Sequence, residues 1–396
     1  MTPPFQRPAL ELADVVRRHG PRLGEDLSGE QRRILRAIAS CRTAALGGHV
    51  ETCDQCQFRR IAYNSCRNRH CPKCKASACA QWMEQRAGEL LPVEYFHVVF
   101  TLPDTFNALA PGNKRTVYRV LFNAVAQTLS KVAANPRYLG AKIGFIGILH
   151  TWGQNLCLHP HIHCVVPGGG LSPGGSRWIA CKSGFFLPVR VLSKVFRGKF
   201  IDLLKRARTA GKLVGTEGTD DDGNFTRLLN ASVKHDWVVY AKPPFGGPRQ
   251  VLKYLARYTH RIAISNHRLV SVDEQNVTFN WKDYAKGNRT RTLTLDGKEF
   301  LRRFLLHAVP SGFMRIRHFG LLANRVRTHN LQTCQRLLSV PADTPADTGP
   351  ASLGTSTLTG VTGHACCPAC SRGRMIPGPY LSPLQLSHVT IRLDSS

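Results

Sequence analysis

The chain has 396 residues, and 54 Lys and Arg against 25 Asp and Glu give it a formal charge of +29. This length is enough for a buried core and more than one domain. Because the basic residues are spread along the chain, the charge favours a folded surface that follows a phosphate backbone over a disordered basic arm. No apolar run approaches the roughly 18 residues that cross a bilayer, and the N-terminus lacks an export signal, so we expect a cytosolic protein and no membrane partner.

The N-terminal region carries two Cys-x2-Cys knuckles, Cys53 with Cys56 and Cys71 with Cys74. In a reducing cytosol cysteines serve as metal ligands or buried thiols rather than as disulfides. Two knuckles at this separation predict one four-thiolate structural zinc site, with a redox dithiol as the alternative. Further ligand types lie nearby and leave a second or alternative metal site open: Cys41, His49, Cys66 and His70.

Basic side chains surround the second knuckle. Arg67, Arg69 and Lys73 lie within or beside it. Positive charge of this kind is what a phosphate backbone attracts. We therefore expect this zinc module to bind DNA.

A helix over residues 80–91 is predicted next, because this segment is rich in helix formers and ends at Pro92. Residues 95–103 are β-branched and aromatic and lie between prolines, which predicts a buried strand. This strand is expected to open a second domain.

Residues 143–150 and 157–166 both have strand composition, and Gly153, Gln154 and Asn155 between them favour a turn. Side chains alternate on a strand, so His161 and His163 face the same way. A hairpin centred on residues 155 and 156 places His150 opposite His161.

These three histidines are the candidate ligands of a divalent metal. His159 is a less favourable third ligand, since on an extended strand it lies roughly 13 Å from His163. Gln154 remains an alternative third ligand, and exposed histidines that bind only phosphate remain an alternative interpretation of the whole run.

Residues 251–262 predict a helix with an apolar stripe. Tyr254, Arg257, Tyr258 and Arg261 form a second stripe, whose two guanidiniums could grip phosphate oxygens. A phenol with a pKa near 10 attacks phosphate poorly unless the phosphate is activated. A metal on the histidine strand could supply that activation, so the two groups of residues depend on each other.

Together these motifs resemble the IS91 family of rolling-circle transposases. The resemblance covers roughly residues 10–335 and rests on residues 46–49, 63–74, 150–155, 159–163, the pair Tyr254 and Tyr258, and residues 312–323. It implies an α+β fold, in which a small zinc-binding domain precedes a His-hydrophobic-His (HUH) endonuclease domain with a central antiparallel sheet flanked by helices. The expected boundaries are 1–91 for the zinc-binding, DNA-recognition domain, 92–335 for the catalytic domain and 336–396 for a low-complexity tail with Cys367-x2-Cys370.

On the same resemblance, His161 and His163 are ligands of Mg²⁺ or Mn²⁺, and Tyr254 and Tyr258 are nucleophiles that form 5′-phosphotyrosine links. Zn²⁺ is expected in the N-terminal domain. The expected partners are single-stranded or hairpin DNA at transposon ends and target DNA, in the bacterial cytoplasm. Two alternatives stay open: a plasmid relaxase or replication initiator with the same chemistry, and a non-catalytic zinc protein that binds nucleic acid.

Overall fold

The computed structural model describes residues 8–24, 27–74, 88–215, 221–242, 250, 263–284, 287–339 and 365–388. The chain divides into two compact units. The terminal unit comprises Leu12–Cys74 with Pro341–Ser396, and the central unit comprises Met1–Glu11 with Lys75–Val340. This division differs from the three consecutive domains that the sequence predicts, because residues near the C-terminus belong to the same unit as the N-terminal cysteines.

Helices and strands alternate irregularly along the described residues. The helices are α1 Leu12–His19, α2 Gly29–Ser40, α3 Lys114–Ala134, α4 Val189–Thr209, α5 Asp222–Val233, α6 Gly297–Leu306, α7 Arg327–Ser339 and α8 Pro383–His388. The strands are β1 Gly48–Cys53, β2 Arg59–Tyr63, β3 Tyr95–Thr101, β4 Gly144–Trp152, β5 Leu158–Pro167, β6 Gly169–Leu171, β7 Trp178–Ala180, β8 Val239–Lys242, β9 Leu269–Val272, β10 Asn276–Asp283, β11 Arg289–Asp296, β12 Ile316–Gly320 and β13 Met375–Leu381.

The terminal unit joins a helical pair to a small sheet. Ser28 begins α2 with a capping box, in which its hydroxyl accepts from the backbone N–H of Gln31 and the Gln31 side chain accepts in return. This satisfies amides that a helix start leaves without a partner. The sheet has the order β13-β1-β2, and β1 pairs antiparallel with both neighbours. A strand from the C-terminal end of the chain thus completes the N-terminal sheet.

The central unit is built on a five-stranded antiparallel sheet with the order β12-β4-β5-β3-β8. Every second side chain of β3 and β5 enters one large apolar core with α3 and α4, as Phe96, Val98 and Phe100 do on β3. Since strand side chains alternate, the residues between them lie on the opposite face. The predicted α+β class, the strand at residue 95 and the hairpin are confirmed.

A second sheet, β11-β10-β9, packs against α6 through Phe279 and Phe300, whose ring centroids are 5.6 Å apart. Asp296 begins α6, because its carboxylate accepts from the backbone N–H groups of Lys298 and Glu299. Of the helix predicted over residues 80–91, only 88–91 are described, and they are not helical. Among the described helices, none is both long and apolar enough to cross a bilayer.

The core between the central sheet and its helices should dominate the stability of the central unit. Phe100 is 0% exposed and packs edge-on against Phe196 of α4 at 5.1 Å between centroids, whereas Phe185 is 52% exposed. We expect Phe100→Ala to lower the free energy of unfolding by about 3–5 kcal/mol, since it leaves a cavity. The matched control, Phe185→Ala, should change it by less than about 0.5 kcal/mol. Urea unfolding curves of the two variants measure the difference, and equal midpoints would contradict this assignment of the core.

Candidate functional site

The histidine site lies on the face of the central sheet that is opposite to α3 and α4. Strands β4 and β5 pair so that His150 lies directly across from His161, and Ile148 across from His163. One potential ligand atom from each of His150, His161 and His163 lies within 4.8 Å of the others. The structure therefore brings together the three residues that the hairpin argument grouped.

Hydrogen bonds fix two of these rings. Nδ1 of His161 lies 2.6 Å from the backbone carbonyl oxygen of His159, to which it donates. Nδ1 of His163 lies 2.8 Å from Nε2 of His97, and the two rings stack with centroids 5.0 Å apart. A metal would thus bind His161 and His163 through Nε2, while the other nitrogen orients each ring.

Burial holds two rings of this face neutral, those of His161 and His97. Burial lowers the pKa of His161 to about 4, although the bond to the His159 carbonyl opposes the shift. Burial, with the positive charge of Lys242, lowers the pKa of His97 to about 3. Neutral imidazole is the form that ligates a metal, so His161 does not need to lose a proton to bind one near neutral pH.

His97 is a site residue that sequence reasoning missed. It lies on β3, where Phe96 and Val98 enter the helical core, and alternation therefore places His97 on the histidine face. The apolar residues on either side of His97 in the predicted strand indicate that its side chain lies on the opposite face. Its role is to orient His163 from behind rather than to add a fourth ligand, because it is not among the atoms that converge.

The ring of His159 lies 5.2 Å from that of His161, but His159 is not among the three residues whose ligand atoms converge. Its Nδ1 is 3.7 Å from a carboxylate oxygen of Asp104, and its carbonyl holds His161. Gln154, the alternative third ligand, lies in the hairpin turn, where its amide nitrogen is 3.4 Å from the hydroxyl of Tyr284. The geometry therefore favours His150 as the third member of the group.

The turn between β4 and β5 is held by side chains from outside the hairpin. Arg268 donates to the carbonyl of Gln154, and Nε2 of His307 lies 3.1 Å from the carbonyl oxygen of Leu156. His307 is buried, and that burial lowers its pKa to about 4, so it bonds as a neutral ring. Leu156 has a positive φ of 64°, a conformation that these contacts must sustain. The register that aligns His150 with His161 is fixed in this way.

The tyrosine stripe lies outside the described residues, as do its arginines. This applies to Tyr254, Arg257, Tyr258 and Arg261. Their roles therefore stay predictions from the sequence.

Among the described residues, eight cysteines converge in two groups of four, and neither group is the predicted one. Cys71 and Cys74 converge with Cys41 and Cys66, whereas Cys53 and Cys56 converge with Cys367 and Cys370. The structure therefore does not bring the two N-terminal knuckles together as predicted, because each knuckle converges with a different pair of cysteines. His70 and His49 belong to neither group, and His49 instead lies 3.5 Å from a carboxylate oxygen of Glu51.

The β1–β2 hairpin explains why the two knuckles do not meet. Thr52 pairs with Arg59, so the first knuckle lies in the turn at one end of the sheet. Gly48 pairs with Tyr63 at the other end, from which the chain continues to the second knuckle. Four residues of extended strand separate these ends by about 13 Å. Spacing along the sequence could not reveal this separation.

The group of Cys41, Cys66, Cys71 and Cys74 fits a tetrahedral metal. Its sulfurs lie 3.6 Å (Cys41 to Cys74) and 3.5 Å (Cys66 to Cys74) apart, close to the about 3.8 Å that four Zn–S bonds of about 2.3 Å impose. Hydrogen bonds from Cys66 and Cys71 lower the pKa of Cys41 to about 2, and the bond to Cys41 raises the pKa of Cys66 to about 12. Four thiolates can coexist here only around a cation.

The basic residues beside this site differ in their surroundings. Arg67 is exposed, with a φ of 51°. Arg69 is partly buried, and desolvation lowers its pKa. Lys73 donates from Nζ to the carbonyl of Cys41 at 3.3 Å. Arg67 is therefore the most accessible of the three predicted DNA contacts, and Lys73 also braces the cysteine group.

Comparisons with known proteins match both the N-terminal and the central regions of the chain. Residues 144–330 match a family model described as "Putative transposase", and residues 14–102 match one described as "Transposase zinc-binding domain". The chain is 53% identical over 378 residues to "Putative transposase y4qJ" of Sinorhizobium fredii (strain NBRC 101917 / NGR234), covering 93% of this chain and 95% of that protein.

A more distant relative is "Transposase for insertion sequence element IS801" of Pseudomonas savastanoi pv. phaseolicola, 28% identical over 326 residues, or 78% of this chain and 74% of that protein. No solved structure matches. The zinc-binding model spans the group of Cys41, Cys66, Cys71 and Cys74. Zinc is therefore the metal of the N-terminal region, as predicted.

This ligand set can be tested by replacing Cys66 and His70, because the sequence alone did not show which of the two binds the metal. We expect Cys66→Ser to lose one zinc ion to a chelator at least about 10-fold faster than the native chain, because it removes a thiolate from the tetrahedral group. His70→Gln, the control four residues away, should release zinc at the native rate. A colorimetric chelator assay on the full chain measures both, and faster release from His70→Gln alone would refute the assignment.

Proposed function

Because this chain belongs to the IS91 family of transposases, enzymes that act on DNA, we propose that it cleaves and rejoins single-stranded DNA through 5′-phosphotyrosine intermediates in rolling-circle transposition. The observation that carries the proposal is the convergence of His150, His161 and His163 on one sheet face. A non-catalytic zinc protein that binds nucleic acid would not account for these converging histidines. A plasmid relaxase or replication initiator would share it but act on an origin of replication.

The histidine face is proposed to hold Mn²⁺ or Mg²⁺. Three imidazole nitrogens suit a transition ion, so Mn²⁺ fits this donor set better than Mg²⁺, which prefers oxygen ligands. When bound, the ion would withdraw electron density from the scissile phosphate and neutralise charge there. The residues of the chain supply the rest: His97 and the His159 carbonyl fix the rings, and β4 and β5 fix their spacing.

Tyr254 and Tyr258 are the proposed nucleophiles. The phenol oxygen of one tyrosine bonds to phosphorus as the bond from phosphorus to the 3′-oxygen breaks. The tyrosine loses its proton and the 3′-oxygen gains one, so a free 3′-hydroxyl and a 5′-phosphotyrosine result. Arg257 and Arg261, at helical spacing from the tyrosines, are proposed to hold the nonbridging phosphate oxygens.

Two tyrosines would allow two covalent links at once. One would cut the element end, and the second would cut the target or the other end. The zinc module and its basic residues are proposed to recognise that end as a hairpin or a single strand, with Arg67 as a phosphate contact. The net charge of +29 supports such a partner.

The nucleophiles are tested by adduct formation. Incubated with a labelled single-stranded transposon end and Mn²⁺, the native chain should form a covalent protein–DNA adduct that resists denaturation. Tyr254→Phe with Tyr258→Phe should form none, and each single variant should retain one type of link. Denaturing gels measure the adducts.

Tyr380→Phe is the matched control for this experiment, since Tyr380 is 62% exposed and lies off the predicted tyrosine helix. It should form adducts as the native chain does. Undiminished adducts in the double variant would eliminate the mechanism, and cleavage only at plasmid origin sequences would favour the relaxase.

The choice of third ligand gives a separate prediction. His150→Ala should lower the metal-dependent nicking rate at least about 100-fold, because ligand loss costs more than the 10–100-fold typical of residues behind the ligands. His159→Ala should lower it less than about 10-fold, since its backbone carbonyl is retained. Titration of nicking with Mn²⁺ measures both variants. The reverse order of effects would show that His159 is the ligand.

A further inference from the structure

The C-terminal Cys-x2-Cys motif has a structural partner that its sequence does not suggest. Sγ of Cys53 lies 3.8 Å from Sγ of Cys370, and Sγ of Cys56 lies 3.7 Å from Sγ of Cys367. One ligand atom from each of these four cysteines lies within 4.8 Å of the others. Residues more than 300 positions apart in the chain thus converge on one point.

The two halves of this group have similar backbone geometry. The amide of Cys53 donates to the carbonyl of Phe58 at 2.8 Å, and the amide of Cys367 donates to the carbonyl of Gly373 at 2.8 Å. The residue after each second cysteine has a positive φ, 59° at Gln57 and 55° at Ser371. Each half is therefore a closed turn that presents two sulfurs to the same side.

Backbone amides point at the sulfurs in both halves. The amides of Gln55 and Cys56 each lie 3.4 Å from Sγ of Cys53, and the amide of Gly373 lies 3.3 Å from Sγ of Cys370. Such N–H donors stabilise negative charge on sulfur, which is the form that binds a metal. A purely apolar packing of thiols would not need them.

The two turns are also bonded to each other. The amide of Asp54 donates to the carbonyl of Arg374 at 3.1 Å, and the amide of Arg374 donates to a carboxylate oxygen of Asp54 at 2.8 Å. Gly373 lies so close that an added Cβ would collide with Sγ of Cys53 and lie 2.7 Å from Oδ1 of Asp54. Only glycine allows the turns to approach at this position.

We propose that Cys53, Cys56, Cys367 and Cys370 bind a second zinc ion, which fastens the C-terminal strand β13 to the N-terminal sheet. The S–S distances match the about 3.8 Å of a tetrahedral site with Zn–S bonds of about 2.3 Å. The four thiolates close the coordination sphere, so this ion is structural. The zinc-binding family model ends at residue 102 and does not include the two C-terminal ligands.

The first test uses the native full-length chain and cysteine alkylation read by mass spectrometry. Cys366 is the internal control, because it is exposed and lies next to Cys367 but outside the group. We expect an alkylating reagent to label Cys366 at once and to label Cys367 and Cys370 only after a chelator is added. Labelling of all three without a chelator would overturn the proposal. If Cys367 and Cys370 became labelled after addition of a reductant but not of a chelator, the cysteines would be joined by disulfides instead of by a metal.

The second test counts metal. The native chain purified with zinc should carry two tightly bound zinc ions in its cysteine sites, measured by elemental analysis after removal of ions from the weaker histidine site. Cys367→Ser with Cys370→Ser should carry one, and Cys366→Ser should carry two. Retention of the zinc at Cys41, Cys66, Cys71 and Cys74 shows that the double variant has kept its N-terminal fold.

Substitution of cobalt for zinc tests whether the N-terminal and C-terminal pairs of cysteines bind the same ion. Thiolate-to-cobalt absorption should fall by about half in the double C-terminal variant, because each site contributes four thiolates. Cys53→Ser should cause the same loss, and combining it with the C-terminal substitutions should add nothing further. Two zinc ions in the double variant, or additive losses, would overturn the shared site.

Discussion

The pairing of His150 with His161 across the β4–β5 hairpin is the constraint on which the histidine site depends. A shift of one residue would turn every side chain of a strand to the other face. His161 and His163 would then enter the apolar core, where Ile162 and Cys164 now pack. Two sets of contacts maintain this register. Ile162 and Cys164 are buried in the apolar core, and Arg268 and His307 hold the turn.

The same alternation separates stability from chemistry in the central unit. On one face of the sheet, aromatic residues such as Phe100 and Phe196 pack densely. On the other, His150, His161 and His163 converge, with His97 behind His163. A rigid, buried half supports an arrangement of polar rings that would otherwise be costly to order. The proposed ion therefore meets ligands that are already oriented.

The terminal unit reaches stability in a different way. Its described helices are short, and its sheet has three strands, one of them from the far end of the chain. Small units bury too little apolar surface to offset the entropy of ordering, and bound metal can supply the difference. With one cysteine group at each end of the β1–β2 hairpin, both ends of this sheet are anchored. Two separate anchors also explain why so short a segment contains so many cysteines.

Much of the site could be read from the sequence where the decisive relation is local. Alternation on a strand placed His161 and His163 together, and the turn residues between β4 and β5 gave His150 as their neighbour. His97 was within reach of the same reasoning, since Phe96 and Val98 flank it. The tyrosines and their arginines were read from helical spacing alone, and they lie outside the described residues.

The sequence by itself determined the chemical classes: a strongly basic chain, cysteines in knuckles and histidines on a hairpin, while its resemblance to the transposase family implied a mixed fold with an antiparallel sheet. Only the tertiary structure decided which cysteines share a metal. The Cys-x2-Cys spacing indicates that two sulfurs of one turn can bind the same metal, but it does not indicate which second turn supplies the other two ligands. That depends on the β1–β2 hairpin, which carries Cys53 and Cys71 to opposite ends of a sheet, and on β13, which returns Cys367 and Cys370 to Cys53. Long-range strand pairing has no local signature in a sequence, because its free energy comes from residues that are distant along the chain.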